Sequence, residues 1–252
     1  MKTLYNYIKD SSYCVAFTGA GVSTLSGIPD FRGKQGLYKN FDADRLFDYD
    51  YFIENPAYFY EKSKDVIYNL DSRKPSVVHE VFASLEEAGL IKALITQNID
   101  LLHSKAGSNN VYEIHGSPRV HTCVSCRRTY QYEEIAQIVK SGTIPRCFAC
   151  KGIVKPDITF FGEMLDETVL RGAIAEAAKA DLIIVCGTTL VVQPAASIPE
   201  YTLDNGGALI IINDSPTPLD NFCEARYYSL KDSFVELQNE FGHGRTEFVR
   251  KD

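Results

Sequence analysis

Four of the seven cysteines form two C-x-x-C pairs, Cys123/Cys126 and Cys147/Cys150, with twenty residues between the pairs. Each pair can present two thiolates on one turn, and two such turns close a tetrahedron around Zn²⁺. Two pairs at this spacing favour zinc over unligated core cysteines or a redox pair. Four thiolates fill the coordination shell, so the metal is expected to be structural, holding together a small lobe with little core of its own. His121 lies beside the first pair, but the tetrad is complete without it and it is expected at the surface. Cys14, Cys186 and Cys223 are scattered, and the first two lie in apolar runs as small core residues.

A second constellation is "VAFTGAGVSTLSGIPDFRG", residues 15–33, where an apolar run breaks into a glycine-rich stretch. Gly19 and Gly21 match the first two glycines of G-x-G-x-x-G, but Thr24 stands where the third belongs. A standard dinucleotide unit would place a second strand and a ribose-binding acid about 20 residues later. The sequence there reads "KNFDAD" with no strand before it, so the loop feeds an insertion and a hydride-transferring oxidoreductase is disfavoured. Of the five histidines, His79 at a helix start and His243 in the polar C-terminal tail suit structural roles. His103 is expected exposed on a helix after a strand end. His115, in "VYEIHGSP", ends an apolar segment and precedes a glycine that permits close approach; its position suits a functional and a structural role equally.

The elements that must position these groups can be read from periodicity. Four apolar runs, "CVAFTGAG", "IKALITQNID", "DLIIVCGTTL" and "GALIIINDS", read as buried parallel strands. Helix-like segments such as "HEVFASLEEAGL" and "ETVLRGAIAEAAKA" lie between them. The alternation predicts an α/β fold, a Rossmann-like doubly wound parallel sheet with ligands beyond the carboxyl ends of its strands. Two stretches break the pattern: a Tyr-, Phe- and Asp-rich helical insertion and the cysteine-bearing zinc-ribbon insertion. The expected organisation is one catalytic domain, with a large lobe from about 1–32, 77–116 and 157–252. A small lobe comes from about 33–76 and 117–156.

At 252 residues and 45% hydrophobic, the chain can bury a sizeable core. No apolar run approaches the roughly 20 residues of a membrane span, and the N-terminus does not read as a signal peptide, so a cytoplasmic protein without membrane contact is expected. The net charge of −7 argues against a non-specific grip on nucleic acid and favours basic protein segments as partners.

Seven stretches, "GAGVSTLSGIPDFRG", "TQNID", "EIHG", the paired C-x-x-C, "FFGE", "GTTLVVQPA" and "IIND", occur in the order and spacing of the sirtuins. From Val15 to the last strand near Tyr228 the chain resembles that family of NAD-dependent protein-lysine deacylases, most of all its short bacterial members. The resemblance implies NAD as a consumed co-substrate and structural Zn²⁺ on the four cysteines. It implies that the loop at Gly19 cradles the pyrophosphate, with Ala20, Gly21 and Thr24 facing phosphates and ribose. Arg32 would fix loop and phosphate, and Phe31 would cover the reactive ribose face. Ile99 and Asp100 would accept the nicotinamide carboxamide in a pocket also walled by Ile28, while Gln97 and Asn98 orient the nicotinamide ribose. Gly187, Thr188, Thr189 and Asn213 would bind the adenosine half, with Lys231 and Asp232 near the adenine.

By the same resemblance, His115 and Asn98 are the catalytic residues, His115 acting as general base on the ribose hydroxyls. The product is O-acetyl-ADP-ribose, or its longer-acyl equivalent, with free lysine. Phe160, Phe161, Gly162 and Glu163, opposite "LVVQP" from Leu190 to Pro194 with its Val191 and Val192, resemble the two segments that clamp an extended acyl-lysine peptide as a third strand. Thr189 replaces a more usual serine and keeps its hydroxyl; Leu25 replaces a residue that is commonly polar. "FYEKSKDVI" carries no Arg of the Tyr-x-x-Arg pair found in relatives that prefer acidic acyl groups, so neutral acyl groups are expected, although Lys62 or Lys64 could substitute. The alternative on the same scaffold is a mono-ADP-ribosyltransferase. A zinc-ribbon module that binds nucleic acid would explain the cysteines but leave the glycine loop without a role. A monomer is expected.

Overall fold

The structure, a computed structural model, describes residues 2–30, 36 and 43–249, so Phe31 and Arg32 lie outside the described residues. The described residues form the strands β1 Cys14–Thr18, β2 Ile91–Thr96, β3 Val111–Glu113, β4 Gly116–Cys123, β5 Thr129–Gln131, β6 Val154–Ile158, β7 Leu182–Cys186, β8 Ala208–Ile212 and β9 Ala225–Tyr227. The helices are α1 Leu4–Asp10, α2 Ala43–Leu46, α3 Tyr49–Glu54, α4 Pro56–Ser63, α5 Val77–Glu87, α6 Leu102–Ala106, α7 Tyr132–Lys140, α8 Glu167–Lys179, α9 Glu200–Asp204 and α10 Leu230–Val249.

A six-stranded sheet runs in the order β3-β2-β1-β7-β8-β9, with every neighbouring pair parallel. The four apolar runs supply its interior. β1 and β7 are buried along their whole length, which is why they read as continuous hydrophobic runs and do not alternate. Cys14 and Ala16 face a core built with Ile8 of α1, Phe82 of α5 and Phe234 of α10. Val15 and Phe17 face the opposite core, closed by Ala173 and Ala177 of α8. The edge strands β3 and β9 have three residues each, too short to stand out by periodicity. α5 starts where Ser76 donates its backbone N–H to His79 Nδ1 at 3.1 Å, so His79 is a buried capping residue. The sheet order reverses at β1, whose successor β2 lies on one side and β7 on the other, and the crevice opens at the ends of those strands.

A separate antiparallel sheet, β5-β4-β6, carries the cysteines. Its core is continuous with the helical insertion: Phe52, Phe59, Tyr60 and Tyr68 pack with Ile135, Val139, Val154 and Phe160. Tyrosine hydroxyls stitch the two insertions together. Tyr60 donates to the Val154 carbonyl at 2.5 Å, and Tyr132 donates to that of Ile67 at 2.9 Å.

Two histidines depart from expectation. His121 is fully buried, because it lies on the inward face of the central strand β4, where Tyr68 Oη meets its Nε2 at 2.9 Å. His103 is on a helix as expected, α6, but is buried. Leu101 turns left-handed (φ 65°) at the start of that helix, and His103 Nε2 lies 2.9 Å from Thr18 Oγ1 at the end of β1. His243 is exposed on the long helix α10, whose Phe234, Leu237 and Phe241 are core residues; the C-terminal region is therefore not a polar tail. Among the described residues no helix is long and apolar enough to cross a membrane.

Candidate active site and metal centre

The glycine turn leaves β1 at Thr18 and enters a 3-10 helix, Ala20–Ser26, closed by Gly27 at φ 74°. Gly19 donates its N–H to the Cys186 carbonyl at 3.0 Å, and Gly21 donates to that of Gly187 at 2.8 Å. The contact tolerates no side chain: a Cβ on Gly21 would lie 2.7 Å from Gly187 Cα, and one on Gly187, at φ 62°, would lie 2.6 Å from Val22 N. Three glycines thus let the turns after β1 and β7 meet backbone to backbone. Thr24 is exposed toward the cleft, where nothing requires glycine, and its hydroxyl donates to the Gly21 carbonyl at 2.8 Å.

Beyond β2 the chain supplies Gln97, Asn98, Ile99 and Asp100. Asn98 Nδ2 donates to the Gly19 carbonyl at 3.1 Å and to Ser23 Oγ at 3.2 Å. A carbonyl only accepts, so the amide nitrogen must face it and Asn98 Oδ1 is left as an acceptor. Ser23 in turn donates to Asp100 Oδ2 at 2.5 Å. Burial pushes the Asp100 carboxyl up, opposed by the Ser23 hydroxyl and the Leu102 N–H. Ser23 therefore ties the glycine turn to the strand end. Sequence reasoning passed over it; its only signal is a serine four residues after Gly19, inside the motif.

His115 follows β3, and its Nδ1 lies 2.9 Å from the Gln97 carbonyl. Only a protonated Nδ1 can make that bond, which fixes the tautomer and leaves Nε2 as the basic atom. Burial lowers the His115 pKa, and the bond to Gln97 raises it only in part, so the ring is neutral at pH 7. Gln97 is held from its other end, where Oε1 accepts from the Thr188 hydroxyl at 2.8 Å.

These groups share one cleft of about 1000 Å³. It is lined by Ala20, Gly21, Thr24, Gln97, Asn98, Ile99 and His115, and on the far side by Gly187, Thr188, Thr189, Asn213 and Lys231. Of the two expected clamp segments, Phe160, Phe161, Gly162, Glu163, Val191, Val192, Gln193 and Pro194 line it as well, whereas Leu190 is turned into the core. Gly19, Ile28, Asp100 and Asp232 do not; Gly19 is spent on packing, and Ile28 and Asp100 are buried behind the wall. Phe47, Ile158 and Tyr228 line the cleft unforeseen. The clamp differs from expectation in two ways. Neither segment is a strand, although Phe161 makes an isolated parallel bridge with Asp48, and the Glu163 carboxylate is turned onto Lys155 at 2.8 Å. In "FYEKSKDVI", Phe59 and Tyr60 are core residues and neither Lys62 nor Lys64 lines the cleft.

The four cysteines converge, with all sulfurs within 4.8 Å of one another. Cys123 and Cys150 sulfurs are 3.5 Å apart, as are those of Cys126 and Cys147. Zn–S bonds of about 2.3 Å imply S···S edges of about 3.8 Å, whereas a disulfide is about 2.05 Å. The set fits a structural zinc. Its two turns are alike: Arg127 (φ 61°) donates its N–H to the Cys123 carbonyl at 3.0 Å, and Lys151 (φ 63°) donates to that of Cys147 at 2.9 Å. Tyr130 Oη donates to Cys147 Sγ at 3.1 Å and holds that thiol down to about 5.

A parallel sheet with a glycine contact at its switch point, a neutral histidine in the crevice and a four-thiolate ribbon define a nucleotide-using enzyme with a structural metal lobe. Residues 19–194 match the model of the Sir2 family, and the chain belongs to that family. It is 43% identical over 227 residues to an NAD-dependent protein deacetylase of Thermotoga maritima, covering 90% of this chain and 92% of that one. Among solved structures, a Sir2 variant with a deacetylated peptide and 3′-O-acetyl ADP ribose is 40% identical, with a TM-score of 0.89 over 95% of this chain and 96% of that one. A Sir2–peptide–NAD⁺ complex is also 40% identical, with a TM-score of 0.84 over the same shares.

Proposed function

We infer that this chain is an NAD-dependent protein-lysine deacylase, cleaving NAD to nicotinamide and passing the acyl group of a lysine to ADP-ribose. The carrying observation is that His115, its tautomer set by Gln97, stands in the same cleft as the glycine contact and both clamp segments. NAD, when bound, supplies an electrophilic ribose carbon on loss of nicotinamide. The chain's own residues do the rest. Ala20, Gly21 and Thr24, with Arg32 and Phe31, would hold the phosphates and near ribose, the Gly19 turn shaping their backbone. Gly187, Thr188, Thr189, Asn213 and Lys231 would hold the adenosine half, with Asp232 nearby. Asn98 would orient the nicotinamide ribose through Oδ1, with Gln97 beside it. Ile99 and Asp100 would receive the carboxamide, backed by Ile28. His115 would take a ribose hydroxyl proton on Nε2 and exclude water jointly with the apolar wall of Phe47, Ile158 and Phe160.

The substrate is an acyl-lysine in an extended protein segment, paired along Phe160–Glu163 and Val191–Val192. Neutral acyl groups suit a cleft in which no residue of "FYEKSKDVI" takes part. With lobes divided at 1–32, 77–116 and 157–252 against 33–76 and 117–156, the cleft falls almost wholly in the large lobe, and Phe47 reaches it from the small one. A cytoplasmic monomer without nucleic-acid binding agrees with four thiols kept for metal and a net charge of −7. The test is mass spectrometry of an acetyl-lysine peptide with and without NAD. Acetyl loss only with NAD, nicotinamide and acetyl-ADP-ribose appearing together, is expected. NAD consumed with the peptide still acetylated would overturn deacetylation and favour ADP-ribosyl transfer.

A further inference from the structure

Lys155 is a buried cation that none of the chemistry above employs. Its side chain is 10% exposed, near the start of β6, and its Nζ lies 2.8 Å from Glu163 Oε2. Nζ also donates to the Ile158 carbonyl at 2.6 Å and to that of Pro156 at 3.2 Å, and sits 4.1 Å from the centre of the Phe160 ring. The same Glu163 oxygen accepts the Phe160 N–H at 2.8 Å, while Glu163 N–H returns to the Phe160 carbonyl at 3.0 Å. The FFGE turn is therefore closed on itself by Glu163 and tied to the ribbon sheet by Lys155.

The turn needs such a tie. It is a wall between two clefts: Ile158, Thr159, Glu163 and Met164 line both the large one and a second of about 770 Å³ behind it, which Lys155 also lines. It has no strand ladder to stiffen it. Besides the Lys155–Glu163 pair, it is held by the Phe160 ring, buried against Phe47, Phe52 and Phe59, and by Phe161, whose N–H donates to the Phe47 carbonyl at 2.7 Å and whose carbonyl accepts from Tyr49 N–H at 3.1 Å; neither of these fixes the Gly162–Glu163 end of the turn. A peptide that binds by backbone pairing gains affinity only if the edge it meets is already in register, because otherwise binding must also order that edge.

We propose that Lys155, acting through Glu163, is the positioning residue that pre-sets the peptide-binding edge of the enzyme. It rests on the reading of Phe160–Glu163 as the peptide clamp. It locates part of substrate affinity in a residue that does not line the substrate cleft and belongs to the metal-bearing sheet.

The experiment compares the zinc-loaded full chain with Lys155→Met and Lys155→Arg. Peptide binding is read by fluorescence anisotropy of a labelled acetyl-lysine peptide, NAD binding by calorimetry, and folding by thermal melting. Lys155→Met is expected to weaken the peptide at least tenfold and to change NAD affinity less than twofold. Lys155→Arg should restore the peptide to within threefold of the parent. If Lys155→Met fails to fold, the double variant Lys155→Met/Glu163→Gln, which leaves no lone buried charge, takes its place with at least a fivefold loss expected. A folded variant that binds peptide within twofold of the parent, or loses peptide and NAD affinity in equal measure, would overturn the proposal. A parent that binds NAD but no acetyl-lysine peptide would instead sink the clamp reading, and the proposal with it.

Discussion

At the scale of single residues, the site is a set of groups whose hydrogen-bond capacity is spent on one another, so that few atoms remain for substrate. Asn98 gives both amide hydrogens to Gly19 and Ser23, and His115 gives Nδ1–H to Gln97. What is left, Asn98 Oδ1 and His115 Nε2, are acceptors, suited to hydroxyl protons. His115→Ala should therefore lower peptide deacylation by roughly 10²–10⁴-fold, the usual worth of a general base, with the melting curve retained and nicotinamide release partly intact. Single-turnover assays that follow both products check this, and a fully active variant would remove the assigned role. The pH profile follows from burial. A lowered imidazole pKa means the base stays neutral until the pH falls well past the ordinary value, so the acid limb of kcat/KM should lie below about 6.5. A limb centred above 6.5 would contradict a desolvated His115. The histidine was visible in the sequence as a candidate, but the partner that fixes its tautomer was not, because a backbone carbonyl has no residue signature.

At the scale of elements, the two turns that matter most are shaped by their neighbours as much as by their own sequence. Thr24 occupies the third motif position, where a dinucleotide turn uses glycine to pack its helix closely on its own strand. The close approach is instead to the turn after β7, and it involves Gly187. Gly187→Ala combines a left-handed backbone, costing an L residue roughly 1–2 kcal/mol, with a Cβ 2.6 Å from Val22 N. It should weaken NAD binding at least tenfold by calorimetry and lower the melting temperature; unchanged affinity would show that the contact does not shape the cofactor site. The parallel strands β1, β2, β7 and β8 and the helices α5 and α8 were legible because burial on both faces and period-3.6 patterning leave strong marks, whereas the long α10 reads as a polar tail. β3 was not, β9 only through the family resemblance, and the inward faces of His103 and His121 were not, since they depend on where distant tyrosines and threonines lie. The ribbon makes a sharper prediction. With Cys123 and Cys147 buried inside the shared core, removing zinc leaves four thiolates that must repel one another or take up protons, and it frees two turns. A strong chelator or Cys147→Ser should melt the small lobe first, seen as an early transition with loss of one bound zinc per chain. Unchanged melting without zinc would refute the metal's structural role.

At the scale of the whole molecule, the buried histidines set an acid limit on the fold. His79 and His103 lie with ring centres 4.6 Å apart beneath the ends of β1 and β2, and each retains a buried nitrogen without a protein partner. Burial lowers His79 to about 4 and His103 well below its ordinary value. The sign follows from the unfolded chain, where both titrate near 6.5: below that pH the unfolded state binds more protons, so stability is fully present above about 6.5 and is lost as pH falls toward the folded values. For His79 alone the loss amounts to on the order of 2–3 kcal/mol by pH 4.5, and His103 acts in the same direction. Asp100 acts the other way. Its raised pKa means its burial costs stability at neutral pH, and that cost is relieved as the carboxyl protonates. His115 and His121, also lowered by burial, act with the pair, and Asp157 acts with Asp100; four histidines against two carboxyls leave a net decline, so the urea midpoint should fall steadily from pH 7 to pH 4.5, beginning before ordinary carboxylates titrate. The chemistry would fail over an overlapping range, since His115 loses its basic form in acid too, but for a separable reason: His115→Ala should abolish activity at every pH while the decline in stability set by His79 and His103 persists. A midpoint flat from pH 7 to pH 5 would mean that the histidine pair is already protonated in the fold, or is reached by water, and the neutral buried pair would have to be abandoned.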